Sequence, residues 1–88
     1  MDDDAQDELE QSLHRIFSEL IPNRVLPDRE TRFLAVGFDS IELTRITQAL
    51  QSRLGRPLPA VLLFEHNTIE RVAQKLLADD PDVCARLR

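Results

Sequence analysis

Tryptophan and tyrosine are absent from this 88-residue chain, glycine occurs twice, and cysteine and methionine occur once each. Without Trp or Tyr the sequence lacks the usual base-stacking aromatics, and two separated glycines cannot build a phosphate-cradling loop. One cysteine, Cys84, and two histidines, His14 and His66, assemble neither a disulfide network nor a zinc framework. The fold must therefore rest on apolar burial. A lone cysteine suits a reducing compartment, and there is neither a signal-peptide pattern nor an apolar run long enough for a bilayer, so a cytoplasmic location and no membrane partner are expected. Positive charge is also short: 11 Lys and Arg face 16 Asp and Glu, for a formal charge of −5. That balance disfavours nucleic acid, whose affinity comes mainly from basic residues. Much of the negative charge sits in the first ten residues, MDDDAQDELE, so its sign says little about any one surface.

What remains is an amphipathic, helical pattern of single-domain length. Leu9, Leu13, Ile16, Phe17 and Leu20 share one stripe of a helix expected from about Ala5 to Ile21, ended by Pro22. The stretch from Pro22 to Asp39 has no sustained period and reads as a long connection, pinned by some of Val25, Leu26, Phe33, Leu34 and Val36. A second helix is expected from about Asp39 to Leu54, with Gly55 as its C-terminal cap. At 100° per residue Leu43, Ile46, Leu50 and Leu54 fall within about 80°, whereas Ile41 lies roughly opposite, on a face with Arg45, Gln48 and Ser52. The run Val61 to Phe64 suggests a turn or two of helix. Asn67 and Glu70 resemble a capping box for a last helix carrying Ile69, Val72, Ala73, Leu76 and Leu77. The tail DVCARLR either adds a turn or frays.

Nothing in this pattern resembles a catalytic constellation. A nucleophilic serine needs a base and an oxyanion hole, commonly on a Gly-x-Ser-x-Gly turn, and the GFDSI run, Gly37 to Ile41, is not that. His14 and His66 read as solvated or half-buried, and the Asp2–Asp4 run and the Asp79–Asp80 pair as solvated termini. No metal site and no catalytic residue are expected. Ser40 is the residue that asks for a reason. The plain explanation is an N-cap, or a first-turn serine beside an Asp39 cap. Ile41 weighs against it, because an exposed apolar side chain beside a hydroxyl suits a site that an enzyme grips. A helix N-terminus also favours a phosphate ester at Ser40.

The run GFDSIELTRITQALQSRLGRPLPAVLLFEHNTIERVAQKLL resembles acyl carrier proteins and phosphopantetheine-binding carrier domains. It matches their Gly-x-Asp-Ser-[Leu/Ile] motif, followed in register by Leu-Pro, a Leu-Phe-x-x-x-Thr element and a final helix. The resemblance implies an all-α four-helix bundle, with three longer helices, a short third helix and a long first loop. It implies one carrier domain over residues 1–88 with its core at about 9–78, a flexible acidic N-terminus and a flexible C-terminal tail, monomeric as an isolated domain. It makes Ser40 the attachment point of covalent 4′-phosphopantetheine derived from coenzyme A, with Asp39 ordering the helix start and supporting the transferase. Ile41 and Arg45 become partner-recognition residues, while Leu63, Phe64 and Thr68 are assigned to the core and the cap. The implied partners are a phosphopantetheinyl transferase and the ketosynthase, acyltransferase and other domains of a synthase.

Two departures from the family pattern refine this. Asn67 stands where the family often has Pro before Thr, a change expected to preserve capping. Helix two carries Arg45 and Arg53 beside Glu42, unlike the acidic face of fatty-acid-synthesis carriers, and so looks more like a polyketide synthase carrier. A peptidyl carrier, commonly Gly-Gly-[His/Asp]-Ser, stays as an alternative, as does an unmodified helical adaptor that binds through the same face. Some carriers that serve β-branching have a Trp where this chain has Ile46, so that specialisation is not supported. Whether the chain is freestanding or part of a longer protein stays open.

Overall fold

The computed structural model describes residues 2–22 and 25–87, and among them there is no strand. Five α-helices follow one another: α1 Asp2–Leu20, α2 Ser40–Leu54, α3 Leu62–Glu65, α4 Ile69–Asp79 and α5 Val83–Arg86, with a 3₁₀ turn at Phe33–Val36 in the first loop. Helix α1 starts at Asp2, three residues before the expected Ala5. Asp4, in the first turn, lies near the positive end of the helix dipole, which favours an acidic side chain there. Leu9, Leu13, Ile16 and Phe17 are at most 1% exposed, and with Leu43, Ile46, Leu50, Val72 and Leu76 they form a single core. Gly55 closes α2 in the left-handed region at φ 69°, donating its N–H to Gln51, as its place before Pro57 suggests.

Expectation and structure part at the cap of α4 and at the tail, while the first loop is pinned as expected by some of the apolar residues named for it. Helix α4 is capped by Thr68, whose Oγ1 accepts the Arg71 N–H at 3.1 Å, and not by Asn67. The frame is set by the first loop: the Asn67 carbonyl is taken by the Phe33 N–H at 3.0 Å, and Glu70 is drawn to Arg29. The first loop is held by Phe33, with Leu26 and Val36 partly buried, whereas Val25 and Leu34 are 83% and 59% exposed. Finally, the core continues past residue 78. The tail forms α5 and buries Val83, Cys84 and Leu87, Cys84 Sγ approaching the Ala5 carbonyl at 3.5 Å. Arg86 pairs with Asp80 at 2.6 Å.

One polar cluster fastens the long loop to both α1 and α4. Arg29 donates to both carboxylate oxygens of Glu10, at 2.6 and 2.8 Å, and reaches Glu70 at 2.9 Å. Gln6 donates to Glu10 at 2.6 Å and to the Glu70 carbonyl at 3.0 Å, and the Glu70 N–H returns to the Arg29 carbonyl at 3.0 Å. The Arg29 hydrogen bonds hold the Glu10 carboxyl below the usual glutamate range, against the opposing effect of burial. Because the folded-state pKa is depressed, this stabilisation is fully present above the unfolded-chain value of about 4.3 and is lost as pH falls through the lower folded value. Arg29→Ala is therefore expected to lower the thermal midpoint near neutral pH and to flatten its decline below about pH 4. Melts of both proteins over that range check this, and parallel curves would refute the brace.

Candidate functional site

Each residue of the Gly37–Ile41 run has a separable structural task. Gly37 ends the 3₁₀ turn at φ 93°, where a side chain would be strained, and donates its N–H to the Leu34 carbonyl at 3.3 Å. The reversal lets the Phe38 N–H reach the Phe33 carbonyl at 3.2 Å. Phe38 is 2% exposed. Its ring centroid lies 6.1 Å from Phe33 and 6.5 Å from Phe17, and Phe17 and Phe33 are 5.6 Å apart. Asp39 then caps α2 in a reciprocal capping box: its Oδ1 accepts the Glu42 N–H at 2.8 Å, and Glu42 Oε1 accepts the Asp39 N–H at 3.1 Å.

Ser40 is thereby relieved of the capping role. It is the first residue of α2, exposed. Its carbonyl accepts the Thr44 hydroxyl at 2.8 Å, while its own hydroxyl has no hydrogen-bond partner among the described residues. The Asp39 carbonyl takes the Leu43 N–H and the Asp39 carboxylate the Glu42 N–H. The N–H groups of Ser40 and Ile41 remain as first-turn donors, at the positive end of a 15-residue helix. A hydroxyl so placed is open to chemistry performed by another protein.

The flanking surface is apolar with one free charge. Ile41 is 63% exposed, opposite the buried Leu43, Ile46, Leu50 and Leu54. Arg45, one turn on, borders a shallow groove of about 180 Å³ with Leu20, Ile21, Glu42 and Ile46. It forms no ion pair among the described residues, whereas Arg53 is paired with Glu19 at 2.6 Å. Of the two arginines of helix two, Arg45 is the uncommitted one. Leu63 is buried, as expected, and Thr68 supplies the cap of α4 in place of Asn67. Phe64, assigned to the core from sequence, is 39% exposed, and Leu34 and Val61 are 59% and 50% exposed. These three escaped the sequence reading because the 3₁₀ turn and α3 each span four residues, too few to show a period. His14 is exposed and His66 half-buried, and the described residues contain no group of metal-ligating side chains that could hold an ion.

A family model described as a phosphopantetheine attachment site matches residues 11–76 of the chain. The chain belongs to that family. It is a carrier domain whose cofactor is covalent 4′-phosphopantetheine, a group that supplies a thiol on a long flexible arm to hold acyl intermediates as thioesters. An exposed, unpartnered hydroxyl at a helix N-terminus fits a phosphodiester of this kind. Among similar proteins, the PKS-NRPS hybrid synthetase acdB of Aspergillus candidus is 32% identical over 78 residues, covering 89% of this chain and 3% of that protein. Erythronolide synthase EryA3 of Saccharopolyspora erythraea is 41% identical over 44 residues, covering 50% of this chain and 1% of that protein. The chain thus spans only a few per cent of these synthases, and it resembles carrier regions of polyketide type. No solved structure matches it significantly. Among the described residues no helix is long and apolar enough to cross a membrane.

The division of roles between Asp39 and Ser40 has a measurable consequence. Asp39→Ala removes the cap and should lower stability by about 1 kcal/mol, whereas Ser40→Ala, which loses no hydrogen bond, should change it by a few tenths or less. Urea titrations of the two variants give the ranking. A larger loss for Ser40→Ala would return the capping role to the serine.

Proposed function

We propose that Ser40 is the attachment point of the arm, and that the domain passes acyl intermediates between the enzymes of a polyketide synthase without catalysing a step itself. The observation that carries this reading is the Asp39–Glu42 capping box, which leaves the Ser40 hydroxyl exposed and without a partner at the first turn of α2. Ser40 Oγ is the nucleophile: it loses its proton, bonds to the phosphorus that carries the pantetheine of coenzyme A, and displaces adenosine 3′,5′-bisphosphate. The transferase supplies the catalysis. The Ser40 and Ile41 N–H groups stabilise the negative charge that remains. Asp39 supports the reaction by holding the helix start in place.

Ile41 and Arg45 form the surface that partners grip. An exposed apolar side chain beside the modified hydroxyl provides an anchor, and an unpaired guanidinium one turn away steers charged partners. The polyketide assignment draws on the names of the similar synthases and on Gly-Phe-Asp-Ser in place of the Gly-Gly start common in peptidyl carriers. The erythronolide relative is named for a polyketide synthase, and the acdB relative for a hybrid of both chemistries.

Incubation with coenzyme A, Mg²⁺ and a broad-specificity phosphopantetheinyl transferase should raise the intact mass by one phosphopantetheine, and Ser40→Ala should abolish the gain. Failure of the unaltered protein to gain mass would favour the unmodified adaptor. With the loaded protein, Ile41→Ala and Arg45→Glu should leave the melt unchanged and slow acyl transfer to the cognate ketosynthase. The Arg45 effect should shrink as salt rises, because exposed charges are screened over about 10 Å at 0.1 M. Unaltered rates at low salt would remove these residues from partner recognition.

A further inference from the structure

From the chain that follows α4, we infer that residues 81–87 form a strap, hinged at Asp80–Pro81 and clasped by the Asp80 carboxylate, which opens as one unit while the helix that presents Ser40 stays packed. Pro81 has no N–H with which to continue α4 and pushes the residue before it out of the helical region. Asp80 accordingly sits extended, at φ −149° and ψ 95°. Beside this hinge lies an open recess of about 570 Å³, bordered by Ala5, Gln6, Leu77, Ala78 and Pro81 among others, so the turn is free of packing on that side. The strap is bonded to itself: the N–H groups of Val83, Ala85 and Leu87 go to the carbonyls of Asp80, Asp82 and Val83 at 3.0, 3.0 and 3.2 Å. The first loop, by contrast, is sewn to the start of α4 by two backbone bonds of 3.0 Å, Phe33 to Asn67 and Glu70 to Arg29.

Two things hold the strap closed. Val83, Cys84 and Leu87 bury their side chains as α5 packs on α1 and α2, and Cys84 Sγ meets the Ala5 carbonyl at 3.5 Å. The second is the clasp. Asp80 Oδ1 accepts the Asp82 N–H at 3.1 Å, Oδ2 accepts Arg86 Nε at 2.6 Å, and Arg56 stands 3.7 Å from the same oxygen. Single exposed ion pairs contribute little, but here two guanidinium groups and an N–H converge on one carboxylate whose side chain is 12% exposed. A four-residue helix does not hold in water by itself, so α5 forms on docking and is lost on undocking, which makes the strap one cooperative unit. Arg56 follows Gly55, the C-cap of α2, so the clasp sits at the far end of that 15-residue helix from Ser40, about 22 Å away. Opening therefore uncovers apolar surface at the tail and leaves the serine end as it is.

Cys84, the chain's one cysteine, is buried beneath the closed strap, so its rate of reaction with a chromogenic aromatic disulfide reads the open fraction. In the unaltered protein that rate should rise only shallowly with urea below the unfolding transition, because opening the strap exposes far less surface than unfolding the bundle. Asp80→Asn keeps the acceptor for the Asp82 N–H and removes the ion pairs, and it should react several-fold faster. Arg56→Ala, which severs only the longer pair, should give a smaller increase. In both variants the amide NMR signals of residues 37–43 should stay in place. A urea slope in the unaltered protein equal to that of global unfolding would overturn the inference, since the tail would then leave only with the whole bundle. Equal rates for the unaltered protein and Asp80→Asn would remove the clasp, and amide shifts reaching residues 37–43 would show that the strap does not open alone.

Discussion

Three phenylalanine rings hold the functional end of this domain in place. Phe17 comes from α1, Phe33 from the 3₁₀ turn and Phe38 from the motif itself, with centroids 5.6 to 6.5 Å apart. Phe17 and Phe33 have no exposure and Phe38 has 2%. Aromatic pairs at such separations add specific geometry to their burial. The cluster gives a long, otherwise irregular loop one fixed end position, and the start of α2 follows from it. Without this anchor, Gly37 would have no defined direction in which to reverse the chain, and the capping box would form on a helix free to move against α1.

The motif divides its work among adjacent residues. Gly37 provides the positive φ, Phe38 the anchor and Asp39 the cap, and the serine is left with nothing structural to do. That separation leaves the Ser40 hydroxyl exposed without disturbing the cap. In α2 one stripe is buried against the bundle, and Ile41 and Arg45 are turned outward to solvent. The polar brace of Arg29 with Glu10 and Glu70 does for the middle of the loop what the rings do for its end.

Long periodic segments made most of the fold legible in the sequence. The stripes of α1, α2 and α4 follow from apolar spacing, Gly55 marks the end of α2, and the exposed position of Ile41 follows from helical arithmetic alone. Short or cooperative features were not legible. Asn67 and Glu70 have the spacing of a capping box, but the register of α4 is set by the Phe33–Asn67 backbone bond and the Arg29–Glu70 pair, both long-range. The C-terminal tail carries Val83, Cys84 and Leu87 in a pattern too brief to distinguish a packed turn from a frayed end, and its burial depends on contact with α1. At the site, Asp39 and Ser40 were two candidates for one cap, and only the geometry separates them. Phe64 is assigned to the core by the family resemblance, and the four-residue α3 is too short for a period to show that it is 39% exposed.

If the ring cluster positions Ser40, a change made far from the motif in sequence must reach it. Phe17→Leu keeps an apolar side chain in α1 and removes the aromatic contacts to Phe33 and Phe38. The decisive measurement is the rate at which this variant and the parent gain the phosphopantetheine mass under identical transferase conditions, with helix content matched by circular dichroism. The anchor account predicts a folded variant that is modified several-fold more slowly. Equal rates at equal helix content would contradict it, showing that α2 presents Ser40 without help from the three rings.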